Sequence, residues 1–82
     1  MTVSDLIEKL KQLPQDKPAY ILYDGEPRIE IEIAYESKKG AVIVAGANES
    51  VYSYNAVPFD VHWLSEGIYK TPSVDYKPNI FD

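Results

Sequence analysis

The feature that most constrains this fold is an alternation of apolar and polar residues across positions 20–54. It is clearest in the segment 28–37, where three isoleucines alternate with arginine and glutamate. Because successive side chains of a strand point to opposite faces, this segment presents isoleucines to a core and carboxylates to solvent. The resulting acidic row consists of Glu30, Glu32 and Glu36.

Further short strands are predicted around this one, each ending at a turn sequence. Asp24-Gly25 favours the positive φ angles of a tight hairpin, and Lys38-Lys39-Gly40 is a second turn. The third strand is apolar on both faces, which is typical of a central strand. The four predicted strands are Ala19–Tyr23, Arg28–Ser37, Ala41–Ala45 and Val51–Val57.

An amphipathic helix is predicted before the first strand. Thr2 is a favourable N-cap, and Asp5 stands three residues later, where a capping box places its acid. Pro14 ends the helix, because the residue before a proline is pushed out of the α region. A helix this short is not stable alone, so we expect its apolar stripe to pack on the isoleucine face of the sheet. The stripe consists of Val3, Leu6, Ile7, Leu10 and Leu13.

The C-terminal part of the chain loses this periodicity. Pro58 breaks the fourth strand, and Asp60 is placed to cap a short second helix over residues 61–66. Residues 68–82 fit no regular element and are predicted to be an extended arm or a disordered tail. The sequence thus predicts an α+β fold, with a helix on a three- to four-stranded antiparallel sheet, in one domain spanning residues 1–67.

Composition excludes several classes of protein. The chain has 82 residues, no cysteine and a net charge of −5. Disulfides and cysteine-ligated metals are therefore excluded, and the absence of cysteine is in keeping with a reducing cytoplasm. Direct nucleic-acid binding is not expected, because phosphate recognition needs clustered basic residues. No segment approaches the roughly 20 apolar residues of a membrane-spanning helix, so no membrane contact is expected.

Sequence motifs give no support for catalysis, for a metal site or for a cofactor. The glycines do not form a phosphate-binding loop, and no nucleophile has a suitable sequence context. An enzyme or small-ligand binder would rest on Asp24, Glu30, Glu32 and His62 alone. A solvated strand face and a partly buried structural histidine are the simpler explanation of these residues.

The first third of the chain carries a resemblance. A helix ending in Leu13-Pro14-Gln15-Asp16, then a tyrosine-rich strand and Asp24-Gly25, resembles the start of many short phage and prophage proteins. The resemblance covers about residues 2–25. It implies that the chain comes from a phage or mobile element in a bacterial cytoplasm, and it assigns a function to no residue.

The acidic strand face supports the first functional hypothesis. Residues 19–36 contain five acidic residues and one arginine, which accounts for most of the net charge. Carboxylates on a rigid strand could occupy the basic surface of a host protein, as an inhibitor of a defence or nucleic-acid-handling complex would. The expected binding residues are Asp24, Glu26, Glu30, Glu32 and Glu36.

The alternative hypothesis is a structural module that self-associates. Tyr52 and Tyr54 are expected to share one face of a strand that could lie at a sheet edge. A second copy could add to that edge, with the arm of residues 68–82 contributing to a homodimer. Tyrosine is enriched at interfaces, although it also fills the faces of sheets.

Overall fold

The computed structural model describes residues 1–61 and 69–77, which adopt an α+β fold. One helix, α1, precedes a series of short strands, and a 3₁₀ helix interrupts them near residue 55. The elements are α1 Val3–Leu10, β1 Tyr20–Tyr23, β2 Glu26–Glu30, β3 Ile33–Glu36, β4 Val42–Ala45, β5 Ser50–Val51, the 3₁₀ helix Tyr54–Ala56 and β6 Tyr69–Lys70.

The strands form three two-stranded antiparallel sheets, β1–β2, β3–β4 and β5–β6, where the sequence predicts a single sheet. The difference arises inside the predicted strand Arg28–Ser37, which divides between β2 and β3. The amide of Ile31 donates to the carbonyl of Ala19 at 2.8 Å, whereas the amide of Glu32 donates to the carbonyl of Ala45 at 3.0 Å. Consecutive amides thus bond to different hairpins, and the chain passes from one to the next.

The predicted turns are confirmed. Asp24 and Gly25 have φ angles of 55° and 80°, so both occupy the left-handed region that the β1–β2 hairpin needs. Gly40 has a φ of 79° in the β3–β4 turn. Gly46 lies in a tight space instead, because a β-carbon there would lie 3.1 Å from Oε2 of Glu49 and 3.3 Å from Cγ2 of Ile29. The two hairpins approach each other at this point.

A small core lies on the inner face of the β3–β4 hairpin. Ile33, Tyr35 and Ala45 are buried there, and Tyr76 packs against them. The rings of Tyr35 and Tyr76 are 6.5 Å apart and nearly perpendicular, which is a favourable edge-to-face arrangement. The Tyr35 hydroxyl donates to the carbonyl of Ala56 at 2.7 Å. Burial raises the pKa of Tyr35.

The predicted helix is confirmed with a complete capping box between Thr2 and Asp5. The Thr2 amide donates to the Asp5 carboxylate at 2.9 Å, and the Thr2 hydroxyl accepts from the Asp5 amide at 3.1 Å. Hydrogen bonding to Thr2, first of all to its backbone amide, lowers the pKa of Asp5. The expectation that α1 covers the isoleucine face is wrong, because no residue of α1 is buried. Its apolar stripe remains about half exposed in solvent, including Ile7 and Leu10.

The segment after β4 differs from the predicted strand Val51–Val57. The strand ends at Val51, because Ser53 accepts a hydrogen bond from the amide of Asn55 and begins the 3₁₀ helix. The predicted second helix covers residues 61–66, of which all but Val61 lie outside the described residues.

Residues 69–77 pack against the rest of the fold. β6 pairs with β5, and the buried Thr71 hydroxyl accepts from the amide of Glu49 and donates to the carbonyl of Gly46. The hydroxyl of Tyr76 donates to the carboxylate of Asp60 at 2.6 Å. The part of the predicted arm that the structure describes is thus held by specific hydrogen bonds.

We expect the stability provided by Tyr76 to be lost at alkaline pH. Burial, followed by the hydrogen bond to the Asp60 carboxylate, raises the pKa of Tyr76 far above its usual 10.0. A group whose pKa is raised by folding stabilises the fold below its ordinary pKa and loses that contribution as pH rises. Urea unfolding of the wild type and of Tyr76→Phe should therefore differ at pH 7 and converge above pH 10. An unchanged difference would contradict this role.

The strand β4 lies at a sheet edge, although its apolar sequence predicts a central position. On the other side of β3, the amide of Phe59 donates to Glu36 and the amide of Lys38 donates to Val57. Val57 and Pro58 are fully buried in that contact. No described residue pairs with the opposite side of β4.

Candidate protein-binding surface

The β1–β2 hairpin carries a cluster of exposed large side chains. Tyr20, Leu22 and Tyr23 are 47%, 72% and 66% exposed, and all belong to the four-residue strand β1. Single exposed apolar residues are common on protein surfaces, but Tyr20 and Leu22 stand two apart on the same strand and therefore share one face. The sequence predicts this strand correctly, but it does not predict the exposure.

One face of the hairpin combines aromatic, aliphatic and acidic groups. Tyr20 lies opposite Glu30, and its hydroxyl is 3.4 Å from Oε1 of that glutamate. Alternation along β1 places Leu22 on the same side. Ile21 and Ile29 occupy the other side and are half-buried, with Ile29 directed at Gly46. We name the solvent-facing set of Tyr20, Leu22 and Glu30 the hairpin face.

The acids at the turn are partly compensated by Arg28. Its guanidinium lies 2.8 Å from the Glu26 carboxylate and 3.9 Å from that of Asp24. Arg28 is the extra residue of a β-bulge, and its Nε donates to the carbonyl of Tyr23. These pairs are exposed and contribute little to stability. They leave one net negative charge at the turn.

The remaining predicted acids, Glu32 and Glu36, follow the end of β2. Glu32 has a structural role, because its Oε2 accepts from the amide of Ala47 at 3.0 Å. Glu36 is exposed, and its carboxylate makes no hydrogen bond or ion pair within the described residues. The acidic row is therefore divided between β2 and the β3–β4 hairpin and is not continuous along one strand.

The predicted tyrosine pair does not share a strand face. Tyr52 is 79% exposed and follows the end of β5, whereas Tyr54 begins the 3₁₀ helix. A strand edge presented by these two rings is therefore absent from the described part of the chain. This removes the structural basis for self-association through Tyr52 and Tyr54.

The described residues give no geometry for metal binding. No three histidine, cysteine or acidic side chains within residues 1–61 and 69–77 come close enough to hold an ion. His62 lies outside these ranges, so its predicted structural role is not described. Over the same ranges, no helix has the length and apolar character needed to cross a bilayer.

The chain matches no protein-family model, and comparison with curated proteins and with solved structures finds no match either.

Proposed function

We propose that this protein is a non-enzymatic binding module that docks the hairpin face onto a basic surface of a partner protein. The observation that carries this proposal is the exposure of Tyr20 and Leu22 on one face of β1, with Tyr20 opposite Glu30. Large apolar groups in the middle of an interface supply most of the binding energy, and charges around them select the partner.

The chemistry of the hairpin face defines the partner. Tyr20 and Leu22 fit a shallow apolar depression on the partner. Both side chains project from β1, which the cross-strand pair of Ile21 and Ile29 holds in place. Glu30 and the net negative charge of the Asp24–Arg28 turn favour lysine and arginine side chains at the rim of that depression. The net charge of −5 attracts such a surface over a distance and speeds the encounter.

We place the activity in the cytoplasm of a bacterial host, as the resemblance of residues 2–25 to phage and prophage proteins implies. A protein that normally binds nucleic acid offers a basic surface of the required kind. Occupying that surface would inhibit a defence or nucleic-acid-handling complex. Glu32 and Glu36 are secondary contacts in this proposal, since they lie on the neighbouring hairpin.

We expect Leu22→Ala to weaken partner binding by about 30-fold, the effect of losing a hot-spot side chain worth about 2 kcal/mol. Glu30→Lys should weaken it by about tenfold at low salt and by less at high salt, because salt screens the lost attraction. The measurement is quantitative capture from bacterial lysate by the tagged full chain, read by mass spectrometry at both salt concentrations.

The matched control is Asp75→Lys, which makes the same charge change at an exposed position outside the hairpin. A basic protein that the wild type and Asp75→Lys retain, but that Leu22→Ala and Glu30→Lys lose, would support the proposal. Capture that is equal for all four chains, or lost equally in Glu30→Lys and Asp75→Lys, would overturn it.

A further inference from the structure

The strand β4 has an unusual sequence for a sheet edge. Its four residues are Val-Ile-Val-Ala, without a charge or a proline. Natural edge strands usually carry a charged residue or a proline, because an unprotected apolar edge pairs with other chains. Val42 and Val44 are also 53% and 37% exposed, so their side chains as well as their backbone are accessible.

The hydrogen-bonding groups of Val42 and Val44 point away from β3. The amide of Ser37 donates to the carbonyl of Ala41, and the register then directs the backbone groups of Ile43 toward β3. Because strand hydrogen bonds alternate in direction, those of Val42 and Val44 face outward. No described residue bonds to these two amides.

A groove of about 440 Å³ runs beside this free edge. One wall includes Val3 and Leu6 of α1, and the other includes Val42 and Val44. No residue of β3 lines the groove, so it lies along the edge of the hairpin and does not extend over its middle. A strand added to β4 would direct alternate side chains into this space.

We propose that β4 pairs with β4 of a second copy of this chain, antiparallel and centred on Ile43. Val42 of each copy then lies opposite Val44 of the other, and their outward amides and carbonyls exchange four hydrogen bonds. The contact is self-complementary, as a two-fold interface must be. It makes a four-stranded sheet in which β4 is central, the position that its sequence predicts.

Charge favours a second copy in this orientation. Antiparallel pairing brings the turn end of one hairpin beside the open end of the other. The exposed Lys39 lies at the turn end, whereas Glu32, which binds the amide of Ala47, lies at the open end. The pairing therefore places Lys39 of each copy at the same end of the four-stranded sheet as Glu32 of the other, which offsets part of the repulsion between two chains of net charge −5.

A single cysteine at the centre of the pairing tests the register. The chain contains no cysteine, so Ile43→Cys introduces the only thiol. Directly opposed residues of a non-hydrogen-bonded pair have Cα atoms about 4.5 Å apart, which is within the range for a disulfide. Under mild oxidation we expect Ile43→Cys to form a covalent dimer at least tenfold faster than Val74→Cys, an exposed control outside the hairpin. Equal rates would overturn the proposal.

A second pair of variants tests the interface without an engineered bond. Val44→Lys places like charges in the pairing and should raise the dimer dissociation constant about tenfold or more, whereas Val74→Lys should leave it unchanged. Sedimentation equilibrium of the full chain over a range of concentrations measures both. A wild type that stays monomeric at every concentration, or a dimer that Val44→Lys does not weaken, would overturn the proposal.

Discussion

Tyr35→Ala is expected to leave the chain largely unfolded in mild denaturant. Tyr35 is 3% exposed and lies in the buried cluster with Ile33 and Ala45. Truncation removes its edge contact with Tyr76 and leaves the Ala56 carbonyl without its hydrogen bond. Replacing a large aromatic core residue by alanine lowers the free energy of unfolding by about 3–5 kcal/mol. This is most of the roughly 5 kcal/mol expected for so small a domain.

The measurement is urea unfolding followed by circular dichroism, with Tyr52→Ala as the matched control. Tyr52 is 79% exposed, so the same truncation there should change the free energy of unfolding by about 0.5 kcal/mol or less. Equal losses in the two variants would mean that the core around Tyr35 does not hold the fold together.

Thr71→Val is the second large effect that we expect, with a destabilisation of at least about 2 kcal/mol. The Thr71 side chain is 6% exposed, and its hydroxyl accepts from the Glu49 amide at 2.7 Å and donates to the Gly46 carbonyl at 2.9 Å. Valine has nearly the same shape but neither hydrogen bond. The unfavourable term is the desolvation of the partner groups that remain unpaired, about 1–3 kcal/mol for each.

Thr71→Ser keeps the hydroxyl and is the control for this variant. We expect it to lose about 1 kcal/mol, the contribution of one buried methyl group. Hydrogen exchange at the Glu49 amide gives a local readout, because this amide should exchange faster in Thr71→Val than in Thr71→Ser. If valine and serine destabilise the chain equally, packing and not hydrogen bonding fixes residues 69–77 to the fold.

The elements that the sequence predicts correctly are those decided by local chemistry. Thr2 and Asp5 form the expected capping box, and Asp24 with Gly25 forms the expected turn. These depend on neighbours in sequence, whose geometry a short motif already defines. The α+β class follows in the same way, from one helical and several alternating segments.

The errors concern what each element packs against. The isoleucine row predicts one strand through Ile31 and Glu32, yet these two amides bond to different hairpins. The apolar stripe predicts that one face of α1 is buried, but no described residue packs over α1 closely enough to bury it. Period-two alternation gives the face of a residue and carries no information about which strand lies beside it.

The candidate surface was partly predictable. The charge pattern predicts Glu30 and the turn acids, but the sequence does not predict the exposure of Leu22 and Tyr23, since an apolar strand residue normally predicts burial. The pairing of Arg28 with Glu26 and Asp24 could have been suspected from their spacing. The role of Thr71 had no sequence signal, because its partners lie more than 20 residues away.

The most direct test of the hairpin face is hydrogen exchange of the full chain, alone and bound to the protein that it captures. We expect slower exchange on binding at residues 20–30 and unchanged exchange at residues 50–57. Protection confined to residues 50–57, with residues 20–30 unaffected, would contradict the proposed function.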